Sequence, residues 1–189
     1  MDPSCAVSSL VLVGLMTKYI NLFGGPGVGK STTAAAIFVE MKRRNMNVEL
    51  VTEVAKDFVW EGRMKTLDIQ PYVTIKQFRN LYRLKGKVDY VISDSPILLG
   101  CIYADKYAPT LPASYKQLIV DLHRQELDPS INIMLKRVFD YDPNGRYQSE
   151  DEAHQLDRDM QNILDSNNIP SITWNPTNVS GLVNILHEL

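Results

Sequence analysis

The chain has 189 residues, 44% hydrophobic and 22% charged, the proportions of a globular domain able to bury a substantial core. A net charge of −2, from 20 Lys+Arg against 22 Asp+Glu, excludes the broadly basic character of a protein that coats nucleic acid and leaves room only for a local basic groove. Two cysteines, Cys5 and Cys101, follow no metal or disulfide spacing, which fits a reducing compartment with Cys101 as a small core residue.

Ala6 to Met16 is mostly apolar. Only Asp2 carries a charge ahead of it, no basic segment or cleavage signal accompanies it, and it is too short to span a bilayer. Met16-Thr17-Lys18 leads straight into a run of strand formers. Residues 1–15 therefore read as an extension without functional role, and residues 16–189 as one domain. No membrane partner is expected.

Tyr19 to Phe23 is rich in β-formers and short enough for a buried strand. It is followed by Gly24-Gly25-Pro26-Gly27-Val28-Gly29-Lys30-Ser31, a complete G-x-x-x-x-G-K-[ST] phosphate-binding loop. The glycines let the backbone curl so that N–H groups from Gly25 through Thr32 surround an anion. The helix predicted over Thr32–Arg44 adds the positive end of its dipole. Lys30 is placed to reach the β- and γ-phosphates and Ser31 to ligate Mg²⁺. Strand, loop and helix in this order predict a nucleoside triphosphate with Mg²⁺ as ligand; ATP is the expected one, with GTP left open.

A second strand is expected over Asn47–Thr52, with Glu53 at its end, then a helix over Val54–Met64 and a loop at 66–71 closed by Pro71. Thr74–Lys85 carries Ile75, Phe78, Leu81, Tyr82 and Leu84 at helical spacing. Lys87–Ser93 reads as the third strand and ends in Asp94-Ser95-Pro96. Helices follow over Ile97–Tyr107 and Ala113–Leu127, then a fourth strand over Ile131–Leu135. Asp140–Ser149 is a polar loop containing Pro143 and Gly145. Ser149 and Glu152 form a capping-box pattern for a helix over Glu150–Asp165. A short strand at Ser171–Trp174 and a helix at Val179–Leu189 complete the chain. Alternating strands and helices predict an α/β fold of three layers, a five-stranded parallel sheet with helices on both faces and a short lid. Ligands in such sheets bind beyond the carboxyl ends of the strands, so Gly24, Glu53 and Asp94 should converge.

Each candidate residue has a functional and a plain reading. Asp94 suits a Mg²⁺-ordering carboxylate, or a cap for the segment after Pro96. Glu53 suits a base that takes a proton from an acceptor hydroxyl, or a solvent-facing cap for the next helix. Lys136, Arg137 and Arg146 flank the 140–149 loop, where Arg could meet charge on a transferring phosphoryl group; otherwise they are solvated. Trp60, Tyr72, Phe78 and Tyr82 could stack an acceptor base or simply fill the core. Arg63, Arg79 and Arg83 could hold an acceptor phosphate or a DNA backbone, or be solvated helix residues. Arg158 reads as an ordinary surface residue. His123, His154 and His187 have neither metal spacing nor a nucleophile nearby.

With these residues in place the chain resembles the P-loop kinases of the nucleoside and nucleotide kinase group, from Met16 onward. The resemblance rests on Gly24–Ser31, on Thr52-Glu53 with Ala55-Lys56-Asp57 and Trp60-Glu61, on Ser93-Asp94-Ser95-Pro96, and on Gly145-Arg146-Tyr147-Gln148 before an acidic helix. Within that group it looks most like bacteriophage 5-hydroxymethyluridine DNA kinases, which phosphorylate the hydroxymethyl group of a modified base in viral DNA. The resemblance implies Lys30 and Ser31 for phosphate and Mg²⁺, Asp94 for Mg²⁺ or the acceptor hydroxyl, Glu53 as base, Arg146 in the lid, and the host cytoplasm as location. In one respect the chain departs from the pattern. Many such kinases place Arg directly after the acidic residue ending the third strand, and here Ser95 stands there. Other acceptors remain open: a free nucleoside, ribosylnicotinamide or a nucleoside monophosphate. So does another class, an ATPase motor or switch.

Overall fold

The computed structural model describes residues 16–141 and 149–188. The expected extension at 1–15 and the lid residue Arg146 lie outside them. The elements run β1 (Lys18–Phe23), α1 (Lys30–Arg43), β2 (Val48–Val51), α2 (Val54–Trp60), a 3₁₀ turn (Met64–Asp68), α3 (Gln70–Tyr82), β3 (Tyr90–Ser93), α4 (Leu99–Tyr107), α5 (Ala113–Glu126), β4 (Ser130–Leu135), α6 (Glu150–Ser166), β5 (Ser171–Trp174) and α7 (Val179–Glu188). The strands form one parallel sheet in the order β2-β3-β1-β4-β5.

Side-chain alternation along β1 divides the core into two layers. Tyr19 and Phe23 join Leu81, Leu98, Ile119 and Met160, from α3 to α6, on one face. Ile20 and Leu22 join Ile37, Met41, Leu182 and Leu186, from α1 and α7, on the other. Ile20, Leu22 and Ile37 have no exposed surface. Each such side chain contributes about 1.5–3 kcal/mol relative to exposure. The central strand is thus buried on both faces, as a parallel sheet requires.

Several boundaries differ from the sequence reading. Helix α2 stops at Trp60 instead of Met64, and Gly62 follows at φ 67°, a left-handed turn that ends a helix cheaply. Residues 64–68 wind into a 3₁₀ turn where a loop was expected. Pro71 opens α3 instead of closing that loop, since a missing N–H costs nothing in a first helical turn. Helix α4 begins at Leu99, two residues beyond the expected start, and β3 is shorter than its apolar run. The capping box is present: Glu152 N–H donates to Ser149 Oγ at 3.2 Å and Ser149 N–H to Glu152 Oε2 at 2.8 Å.

Strand β3 lies between β1 and β2, pairing Asn21 with Ser93 and Ser93 with Val51. The carboxyl ends of the three strands are therefore neighbours. This brings Gly24, Glu53 and Asp94 to one edge of the sheet.

Candidate active site

The donor loop joins β1 to α1. Gly29 is the N-cap of α1 at φ 91°, a conformation that L side chains rarely adopt. Having no side chain, it leaves the first-turn N–H groups of α1 for an incoming anion. Lys30 Nζ donates to the carbonyl oxygens of Gly24 and, at 3.2 Å, Gly25. Burial lowers its pKa to about 8, against the pull of the Glu53 and Asp94 carboxylates. A triphosphate arriving beside this ammonium would favour its charged form.

Asp94 follows β3 and is 2% exposed. Its Oδ2 accepts a 2.5 Å hydrogen bond from Ser31 Oγ. Its Oδ1 is buried with no partner among the described residues. A carboxylate oxygen buried and unsatisfied is costly unless a cation or water completes it. The N-cap of α4 is Leu98, so capping is not what Asp94 does. Oxygens from Ser31 and Asp94 suit Mg²⁺, a hard cation that takes few protein ligands and fills its shell with phosphate and water. Among the described residues no group of three or more His, Cys, Asp or Glu could hold a metal by itself.

Glu53 occupies the N-cap position of α2 in extended backbone, yet its side chain makes no capping bond. Gln77 on α3 does that work instead: its Oε1 accepts Val54 N–H at 3.0 Å. Glu53 lines a cavity of about 40 Å³ bounded also by Thr74, Gln77, Pro96, Gly100 and Tyr103. Burial raises its pKa, with Lys56 and Lys30 opposing. The same desolvation drives the Tyr103 phenol up. Gln77 Nε2 is a buried donor with no partner among the described residues.

Two residues clamp the donor loop from the other side. Asp157 on α6 accepts the Gly25 N–H and pairs with Arg137 at 2.8 Å. Arg137, just after β4, also donates to the Pro26 carbonyl at 2.9 Å. A Cβ on Gly25 would overlap the Ala153 carbonyl, so α6 lies directly on the loop. Gly25 is needed for this approach and not for an unusual φ.

The other sequence candidates lie apart from the cavity. Trp60 is 88% exposed. Arg63 stacks 5.3 Å from the Phe58 ring and bonds Glu61 at 3.1 Å. Arg79 on α3 and Arg83 just past its end are exposed. Tyr72 packs on the buried Phe58 and Tyr82 on Phe78, centroids 5.8 and 5.3 Å apart. Arg158 bonds Gln155 on its own helix. Cys101 is buried, its thiol pushed up to about 12 by desolvation. Asp157 and Gln77 are absent from the sequence reading. Asp157 was detectable as a lone carboxylate beside Ala153, Leu156 and Met160 on the apolar stripe of α6.

No described helix is long and apolar enough to cross a membrane. No curated protein matches the sequence. Among solved structures, NadR in complex with NR superposes with a TM-score of 0.61 at 14% identity, over 92% of this chain and 51% of that one. The chain thus spans about half the length of NadR. Deoxyadenosine kinase from M. mycoides, with dCMP and dCDP bound, gives a TM-score of 0.56 at 14% identity, over 90% and 97%. The same enzyme with dCTP gives 0.54 at 17%, over 90% and 100%. These likenesses establish the P-loop kinase fold. A family model described as an AAA domain matches residues 19–180, and the chain belongs to that family.

Proposed function

We propose that the protein is an ATP-dependent kinase that transfers the γ-phosphoryl group to a hydroxyl. The observation that carries this reading is Glu53. Its carboxylate makes no capping bond, lies 3.8 Å from the Lys56 ammonium, and belongs to a residue lining a cavity bounded in part by Ser95 and Pro96, which directly follow Asp94. The neighbouring structures named for NadR and deoxyadenosine kinase support the same class.

In this mechanism Lys30 and the first-turn N–H groups of α1 hold the triphosphate. Ser31 and Asp94 would hold Mg²⁺, which when bound neutralises charge between the β- and γ-phosphates. Glu53 accepts the acceptor's hydroxyl proton while the new O–P bond forms and the bond to ADP breaks. A raised pKa makes Glu53 a stronger base at neutral pH. The Arg137–Asp157 clamp keeps the loop from shifting during the step. Arg146 would supply further positive charge from the lid.

The acceptor we propose is the 5-hydroxymethyl group of 5-hydroxymethyluridine in phage DNA. The motif set from Gly24 to Gln148 supports it, and the exposed Trp60, Arg63, Arg79 and Arg83 around α2 and α3 suit a long polyanionic substrate. Such a protein would work in the host cytoplasm. The test offers γ-labelled ATP with hydroxymethyluridine duplex, ordinary duplex, nucleosides (ribosylnicotinamide included) and monophosphates in parallel. Label should enter hydroxymethyluridine DNA alone, less efficiently as salt rises, because phosphate contacts release counterions. Transfer to a nucleoside or monophosphate would replace the acceptor. Phosphate release without transfer, stimulated by ordinary DNA, would replace the kinase with a motor.

A further inference from the structure

The side chain of Lys56 reaches from α2 into the donor site. Its ammonium donates to Ser31 Oγ at 2.8 Å. It lies 3.8 Å from Glu53 Oε2 and 3.8 Å from Asp94 Oδ2. Ser31 spends its own proton on Asp94, so the lone pairs of Ser31 Oγ are what Lys56 meets. Three oxygens from three segments thus converge on one cation. They include Ser31 Oγ and one carboxylate oxygen of Asp94, the two residues assigned above to Mg²⁺. Asp94 Oδ1, buried and unpartnered, shows that the ammonium leaves the carboxylate incompletely satisfied.

Two positive ions do not share such a set of oxygens, because their repulsion at contact distance offsets the attraction of the carboxylates. The Lys56 side chain is 50% exposed, and an exposed ion pair of this kind contributes little that water cannot replace. Its flexible stem can carry the ammonium out of the site. We propose that Lys56 is a place-holding cation. It keeps Ser31, Glu53 and Asp94 together in the nucleotide-free chain and yields its position to the divalent metal that accompanies the triphosphate. A consequence is that the wild-type site resists bare divalent ions and admits them efficiently only with nucleotide. This rests on the phosphate-loop reading and not on the identity of the acceptor.

The test is Mn²⁺ binding to the nucleotide-free full chain, followed by electron paramagnetic resonance. Lys56→Met and Lys56→Gln should bind Mn²⁺ about tenfold tighter than wild type, the size expected for removing one competing charge. Lys56→Arg should bind as weakly as wild type. Adding Asp94→Asn to Lys56→Met should erase the gain, and Mn²⁺ should raise the melting temperature of Lys56→Met more than that of wild type. Equal or weaker Mn²⁺ binding in both neutral variants, or a gain that survives Asp94→Asn, overturns the proposal. ATP binding by wild type, measured separately, tests the phosphate loop. A chain that fails there but shows the Mn²⁺ pattern would keep Lys56 as a competitor of divalent ions but lose its exchange with a nucleotide-borne metal, and with it the kinase.

Discussion

Replacing Asp157 by Ala strips the donor loop of its outer support. Two bonds are lost: the one from Gly25 N–H, a buried group, and the pair with Arg137, whose side chain is 11% exposed. An orphaned buried N–H costs about 1–3 kcal/mol, and a lost charge-assisted bond at a partly wet site adds about 1 kcal/mol. The sum is about 2–4 kcal/mol. For a chain of this size each kcal/mol moves the melting temperature by about 2–4 °C, so a fall of roughly 4–16 °C is expected by calorimetry. ATP affinity should drop with it, because in the proposed function the loop backbone holds the phosphates. Asp157→Asn keeps an acceptor for Gly25 and should fall near the midpoint. In a double-mutant cycle with Arg137→Met the two losses should be less than additive. An Ala variant that melts within 1 °C of wild type and binds ATP normally would refute the clamp.

Three further outcomes are expected. Gly25→Ala should weaken ATP binding and lower the melting temperature, since the added methyl meets the Ala153 carbonyl and backbone must move; an unperturbed variant would remove α6 from the site. Lys30 has a pKa near 8 in the ligand-free fold, below the 10.5 of an exposed lysine, so its contribution to stability grows as pH rises from about 8 toward 10.5. ATP binding at pH 8 should then take up on the order of half a proton, read by calorimetry in buffers of different ionisation enthalpy. For Glu53 the folded pKa lies above the ordinary 4.5, so its contribution to stability declines as pH rises from 4.5 through the folded value. Glu53→Gln should therefore melt higher at neutral pH while turnover falls far more than ATP affinity; a matched loss of both would make Glu53 structural.

Element order, the parallel sheet and the convergence of Gly24, Glu53 and Asp94 were legible because they follow from periodicity and from a motif whose chemistry fixes its context. The capping box at Ser149 was legible because both partners lie within one turn. Pro71 misled because the same residue ends one helix and starts another. Asp157, Gln77 and the reach of Lys56 escaped because their partners sit 132, 23 and 25 residues away in sequence. Asp157 left the one local mark of a carboxylate within an apolar helical stripe, but no local pattern names the partner of any of the three. The Glu53 cap reading failed for the same reason: the N–H of Val54 takes its acceptor from α3. Arg137, read as a candidate for substrate charge, is found engaged with Asp157 and Pro26.

The chain carries two tryptophans in contrasting surroundings. Trp174 is partly buried, its indole N–H bound to the Asn178 carbonyl at 2.9 Å, whereas Trp60 is 88% exposed at the end of α2. Helix α2 begins next to Glu53, so Trp60, at its far end, is a natural spectroscopic probe of that helix. Exchanging Trp174 for Phe would leave one fluorophore whose red-shifted emission reports on α2 alone. Any response of α2 to added nucleotide could then be followed in real time without attaching a label.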